Sequence, residues 1–438
     1  MKELENKYSN ILSKMIEKET ISEDNNFNKE KFDAFHDLLK ELFPGVFSTF
    51  KYEEFNGSIL LSWIVNEKDP ILLMSHHDVV DANGKWIHDP FKPVIENGKL
   101  YGRGTLDTKG NLFAILQAIE EIIAEGYIPT RSIYIESACN EETSGEGAQE
   151  ISKELQERNV HFLFTLDEGG MILENPIGIS PGKYAMIAVG EKGVHDVIFS
   201  ATATGGHAST PPKNTPLIRL SKFMLEIENK NKFPKYLNDT NIEMFKRMSK
   251  NMKGILKPIF KHAKFNRFIL TKLLPKFSNT GKALIQTTVC FTKASGSNGF
   301  NVIPSNAWVS GNIRIAHHEG YEHTMKYLSK VARKYDITLT DVDNCITSKI
   351  CDFNNNEFKF LEYCIKSCFA NTTPSPYIAN GASDSRFFDK LSDNIFRFAP
   401  FEISDEQLES IHGLDENVDV KTLPQAVNFY KFLIKELN

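Results

Sequence analysis

The stretch Ile71 to Trp86, ILLMSHHDVVDANGKW, runs from an apolar tetrad straight into Ser75, His76, His77 and Asp78. Imidazole and carboxylate groups at the end of a core strand can hold a cation or move protons, or they can simply hydrogen-bond in a wet loop. Four more clusters of the same residue types follow. Asp107 lies in GRGTLDTKG, Glu141 and Glu142 in NEET, Asp167 in LDEGG and His412 in IHGLDEN. Singly, an acidic turn or a hydrogen-bonded histidine explains each one as well. Jointly they form a nitrogen and oxygen donor set suited to Zn²⁺ or a similar divalent ion. Two such ions about 3.5–4 Å apart need a bridging ligand and terminal ones, and clamp the attacking and leaving groups of a hydrolysis. A water held between them loses enough of its pKa to supply hydroxide near neutral pH. Adjacent Glu141 and Glu142 would repel if both sat free in one pocket. Binding Glu142 to a cation removes that repulsion and leaves Glu141 to take the water's proton and pass it to a leaving amine.

Bringing these residues to one rim requires strands that end together. Strand patterns at Ile59–Val65, Ile71–Ser75, Arg131–Ala138 and within FLFTLDEGG alternate with helical ones. The helix after Gly110 carries Leu112, Ile115, Leu116, Ile119, Ile122 and Ile123 on one face, with Gly126 as its stop. The alternation predicts an α/β domain with a mixed, largely parallel central sheet, whose ligand sites lie beyond the C-terminal strand ends. His76, Asp107, Glu141, Glu142 and Asp167 all fall at or just after such ends, or in the loops that follow them. From Glu191 the rhythm changes to that of a small α+β unit. The expected organisation is an α/β domain in two parts, 1–190 and 346–438, with a small α+β domain, 191–345, inserted between them, to which the family resemblance given below adds a lid or dimerisation role.

Met244 to Phe277 carries ten Lys/Arg and no acid, interleaved with Phe, Leu, Ile and Met. A membrane-surface helix is one use of such a segment. A helical cover over 241–277 with a solvated basic face is the favoured one, because Pro258 and Pro275 interrupt any long helix. The 438 residues carry a net charge of -6, which gives no reason to expect nucleic-acid binding. The N-terminus lacks the apolar core of a signal peptide, and six scattered cysteines form no CxxC pair, so a cytoplasmic protein with reduced thiols is expected. Among the 32 Phe residues some are available to an apolar pocket, though core packing accounts for most.

These motifs, in this order, resemble the co-catalytic zinc metallopeptidase family of carboxypeptidase S, aminoacylase, acetylornithine deacetylase and succinyl-diaminopimelate desuccinylase. SHHDVV, Trp86 to Phe91, LYGRGTLDTKG, EETSGEGA, LDEGG, EKGVHD, GHASTPP, NVIP and IHGLDEN all match its pattern. LDEGG and the long basic insert look closest to the branch of carboxypeptidase S and the N-fatty-acyl-amino-acid hydrolases. The resemblance implies a zinc-exopeptidase-like fold and two Zn²⁺, with Co²⁺ or Mn²⁺ as alternatives. It implies that Asp107 bridges the ions, that His76 and Asp167 complete one site, and that Glu142 and His412 complete the other. It further implies that Asp78 supports His76, that Glu141 is the general base, and that a cis peptide follows Asp107. His207 would stabilise the oxyanion, often at the partner's site in a homodimer. Asn301 and Arg314 would bind the substrate carboxylate, with Ser383 and Asp384 lining the pocket. No family role maps to His77, which is expected at the rim, or to Glu168, expected as a turn carboxylate. Asp415 stands where the family commonly has Asn. The implied activity is hydrolysis of a peptide or N-acyl-amino-acid amide beside a free carboxylate, through a metal-bridging hydroxide. A dipeptidase, or a binding protein on the same scaffold, is the alternative.

Overall fold

A computed structural model describes residues 2–23, 27–178 and 180–437. Ile71–Met74 is buried along its whole length and lies parallel to both neighbours, Ile133–Ser137 and Phe164–Asp167. A strand covered on both faces has no need of alternation, which is why ILLM reads as one apolar run. Phe164–Asp167 in turn lies parallel to Ile395–Arg397, from the far end of the chain. These four strands form the middle of a ten-stranded mixed sheet whose outer members include Lys51–Phe55, Ser58–Trp63, Lys183–Glu191 and Thr372–Ala379. Because the central strands run the same way, the polar residues that follow them gather on one edge.

Helix Lys109–Ala124 packs on helix Leu423–Glu436, and Lys2–Ile16 packs against both. Tyr8, Leu12, Met15 and Ile16 of the first helix are buried, as its helical spacing predicts, while Leu4 is exposed. Lys109–Ala124 is apolar over most of its surface, and Gly126 follows it at φ 70°, a conformation that glycine adopts without strain.

A second sheet, entirely antiparallel, has the order Thr288–Ser295, Asn306–Ile315, Gly193–Thr202, Thr338–Asp341. Its two long strands alternate strictly between buried and half-buried residues. Val197, Phe199, Val309 and Ile313 face inward onto Leu220, Phe223 and Leu328 of the covering helices. The opposite face carries Val194, Asp196, Asn312 and Arg314.

The basic segment is seated on the large sheet. Its three short helices, Asp239–Met248, Leu256–Lys261 and Arg267–Phe277, share no core with the antiparallel sheet. Phe245, Met248, Phe260, Leu270 and Leu274 pack instead on Tyr184 and Met186 of the large sheet. Strand Lys183–Glu191 contributes Tyr184 and Met186 to that core, so the segment covers part of the main sheet.

Candidate metal centre and cleft

The chain leaves strand Ile71–Met74 with its next side chains turned into the molecule. His76 is buried, and its Nδ1 lies 3.0 Å from the main-chain oxygen of Asp78 and 3.3 Å from Asp78 Oδ1. A carbonyl oxygen only accepts, so Nδ1 carries a proton and Nε2 is the nitrogen that points outward. Nε2 faces Asp107 Oδ1 at 3.1 Å, with Glu141 Oε2 and Glu168 Oε1 each at 3.9 Å. On its other side the Asp107 carboxylate meets His412 Nε2 at 3.0 Å, and His412 Nε2 is also 3.1 Å from Glu142. Asp107 thus stands between two imidazoles. Donor atoms of His76, Asp107 and Glu142 all lie within 4.8 Å of one another.

Each side chain is held by the backbone around it. The peptide Asp107–Thr108 is cis. The loop before it closes on Glu416, a fully buried carboxylate that accepts from Arg103 Nη1 at 2.8 Å and from the main-chain N–H groups of Gly104, Leu106 and Asp107. Asp78 accepts from the N–H groups of Glu141 and Glu142 at 3.2 and 3.1 Å and from Ser22 Oγ at 2.6 Å. One carboxylate therefore fixes both the His76 strand end and the Glu141–Glu142 turn.

The electrostatics are those of too many carboxylates for the available protons. Burial pushes the Glu141 carboxyl well above its usual range; His76 opposes this, while Asp384 and Glu142 add to it. Burial does the same to Glu168, with Asp167 adding to it. Hydrogen bonds to Asp107 and Glu142 lift His412 to about 10. His76 is also raised, since its contacts with Asp107 and Asp78 outweigh the burial that disfavours its charge. A cluster that holds protons this tightly is one that divalent cations would relieve, and its imidazole and carboxylate donors fit zinc or a similar ion.

Glu168, not Asp167, turns its carboxylate to this cluster. Asp167 Oδ1 accepts from the Glu168 N–H at 2.9 Å and Oδ2 from the Ser385 N–H at 3.0 Å, which ties the turn Gly381–Phe388 to the strand end. His77 is likewise no rim residue. It is fully buried, stacked on Phe35 with centroids 5.3 Å apart, with Nδ1 2.9 Å from Ser137 Oγ and Nε2 3.3 Å from His36 Nε2. Burial drives its pKa well down, so it packs as a neutral core histidine. Asp415 accepts from the N–H groups of Ile87 and His88 at 2.9 and 3.1 Å, bonds that an Asn oxygen could make equally well.

His76, Asp107, Glu141, Glu142, Glu168 and His412 form one wall of a cavity of about 850 Å³. The facing wall is the outer side of the antiparallel sheet. Arg314, opposite Val194 in register, lines it and donates from Nε to Asn312 Oδ1 at 3.0 Å. Ser383 also lines the cavity. Asp384 lies behind it, buried with neither carboxylate oxygen hydrogen-bonded, and burial raises its pKa to about 7. His207 and Asn301 stay outside the cavity. Both are exposed, at the small ribbon formed by Gly206–His207 and Val302–Ile303, with His207 Nδ1 2.7 Å from Ser209 Oγ. Sequence reasoning missed the roles of Glu416, Asn312 and the buried Arg397–Glu191 pair, 2.9 Å apart at the cavity edge. Glu416 and Arg103 are 313 positions apart, and no local pattern signals such a pair.

The family model described as Peptidase family M20/M25/M40 matches residues 72–436. The chain is 31% identical over 415 residues to "Probable carboxypeptidase S-like 2" of Dictyostelium discoideum, covering 92% of this chain and 79% of that one. It is 30% identical over 413 residues to the Homo sapiens "N-fatty-acyl-amino acid synthase/hydrolase PM20D1", covering 92% and 82%. Among solved structures, the metallo-carboxypeptidase Sso-CP2 of Sulfolobus solfataricus superposes with a TM-score of 0.72 over 98% of both chains at 18% identity, a likeness of fold.

Proposed function

The chain belongs to peptidase family M20/M25/M40, and from that membership we propose that it is a metal-dependent hydrolase of peptide or N-acyl-amino-acid amides beside a free carboxylate. The observation that carries the proposal is the convergence of His76, Asp107, Glu142 and His412, with Glu141 and Glu168 beside them, on one wall of a cavity that Arg314 faces. His76, Asp107, Glu142, Glu168 and His412 would hold two Zn²⁺, with Asp107 between them. Bound there, the ions would polarise the scissile carbonyl and acidify water. Arg314 would pair with the substrate carboxylate and set the amide against the acidic wall. Glu141, anchored through its N–H on Asp78, would take a proton from the attacking water. It would return that proton to the amine nitrogen as the carbon–nitrogen bond breaks, leaving a carboxylic acid and a free amino acid.

His207 and Asn301 lie outside the cavity of their own chain, which supports a homodimer in which each copy's ribbon completes the other's cleft. The unit 191–345 would then act as lid and dimerisation domain. All six cysteines are free, in keeping with a cytoplasmic setting.

Val194, Val342, Ile346, Tyr377 and Phe387 give the cavity apolar lining that suits an acyl chain, and the human relative's name points the same way. The name of the Dictyostelium relative favours a peptide substrate. A panel of N-acyl amino acids and dipeptides, each with free and amidated carboxyl ends, separates these. Turnover of N-acyl amino acids with free carboxylates is the expected result, and Arg314→Met should raise KM for those substrates. Turnover of dipeptides alone rejects the acyl version, and equal turnover of amidated substrates rejects the carboxylate requirement.

A further inference from the structure

The basic segment Met244–Phe277 has a surface that its sequence alone left undecided. Its inner side is fixed to the large sheet through Phe260, Leu270 and Leu274, all fully buried. Its outer side is not the purely charged face of a solvated cover. Phe265 is 92% exposed, Ile255 81% and Phe268 70%, and Ile269 and Phe277 are also exposed. Three cations of the segment are used within the chain, as Lys246 and Arg247 pair with Glu243 and Arg267 with Asp239. The other seven lysines are exposed, with no acidic partner among the described residues. One of them, Lys272, holds its Nζ 4.1 Å above the Phe268 ring, so charge and aromatic surface are interleaved.

We infer that this face, Ile255 to Lys276, is an interfacial docking surface for an anionic lipid membrane. The projecting phenyl rings and Ile255 enter the boundary between headgroups and acyl chains, and the unpaired lysines meet lipid phosphates. A flat polyanion would satisfy the lysines and leave large apolar side chains in water, whereas a layer with both anionic and apolar depth accommodates both. No helix among the described residues is long and apolar enough to cross a membrane, so the docking proposed here is that of a surface face. The inference does not depend on which amide the cleft takes.

Co-sedimentation of the metal-loaded full chain with phosphatidylcholine vesicles, with and without phosphatidylglycerol, tests it. Binding is expected only to vesicles containing phosphatidylglycerol, and to weaken with salt. The combined Lys257→Gln, Lys261→Gln and Lys264→Gln variant should lose at least about tenfold in partitioning, each lysine near an anionic surface being worth about fivefold. Phe265→Ser with Phe268→Ser should lose binding comparably while keeping the parent's unfolding midpoint and its turnover of a soluble substrate. No vesicle binding at low salt overturns the proposal. Binding that the phenylalanine pair leaves unchanged overturns it too, and reassigns the face to polyanions in general.

Discussion

Asp78 offers the sharpest test of how the cleft is built. Its buried carboxylate accepts from Ser22 Oγ at 2.6 Å, from the N–H groups of Glu142 and Glu141 at 3.1 and 3.2 Å, and lies 3.3 Å from His76 Nδ1. In Asp78→Asn one oxygen can keep Ser22 and the Glu142 N–H. The new amide group then opposes the Glu141 N–H and the His76 Nδ1 proton, donor against donor. Losing one charge-assisted bond and orphaning a buried N–H costs about 2–4 kcal/mol. His76 retains the main-chain oxygen of Asp78 at 3.0 Å, so its tautomer survives. The damage should therefore centre on the Glu141–Glu142 turn. Two measurements follow: urea unfolding of metal-free protein, and calorimetric titration with Zn²⁺. The variant should unfold at lower urea, and its metal affinity should fall about 10–100-fold, the usual effect of losing a group that orients ligands. A stability change under about 0.5 kcal/mol, the range of ordinary surface substitutions, together with unchanged affinity, would refute the claim that Asp78 organises the site.

Glu141→Gln should keep its metal complement and lose about 10²–10⁴-fold in kcat, the contribution of a general base; full turnover would place the base elsewhere. Glu168→Ala should weaken metal binding at least about tenfold with little loss of stability, whereas Asp167→Ala should destabilise the Ser385 turn; the reverse pattern in titration and unfolding would restore Asp167 as the ligand. The pH dependence has a definite sign. His412, raised from its ordinary 6.5 to about 10, stabilises metal-free protein fully below pH 6.5 and progressively less as pH climbs through 10. The raised carboxyl groups of Glu141 and Glu168 act in the same direction. Unfolding midpoints of chelator-treated protein should thus fall above neutrality. Metal uptake near pH 8 should release protons, as calorimetry in buffers of different ionisation enthalpy would record; proton uptake would contradict the assignment.

The chain's own order settled the class of fold and the neighbourhood of the chemistry. Apolar runs bounded by glycine and polar residues mark buried parallel strands whatever surrounds them, so Ile71–Met74, Ile133–Ser137 and Phe164–Asp167 were legible with boundaries off by a residue or two. Residues directly after such strands lie on one edge by geometry alone. That is why His76, Glu141 and Glu142 could be grouped by position before any coordinates, while Asp107, in the loop beyond the outlying strand Lys99–Tyr101, and His412 join them through residue type and the family pattern. Side-chain direction at a strand's last residue is a different matter. Whether Asp167 or Glu168 enters the cleft depends on which backbone N–H groups, here those of Glu168 and Ser385, claim the other carboxylate. His77 looked like part of a polar rim beside His76, but it faces Phe35 and His36 on the far side of the chain. The basic segment's outward phenylalanines and its seat on Tyr184 and Met186 were invisible for the same reason. Periodicity states which residues share a face, while which face finds a partner is decided by elements distant in the chain, and only the assembled fold brings those together.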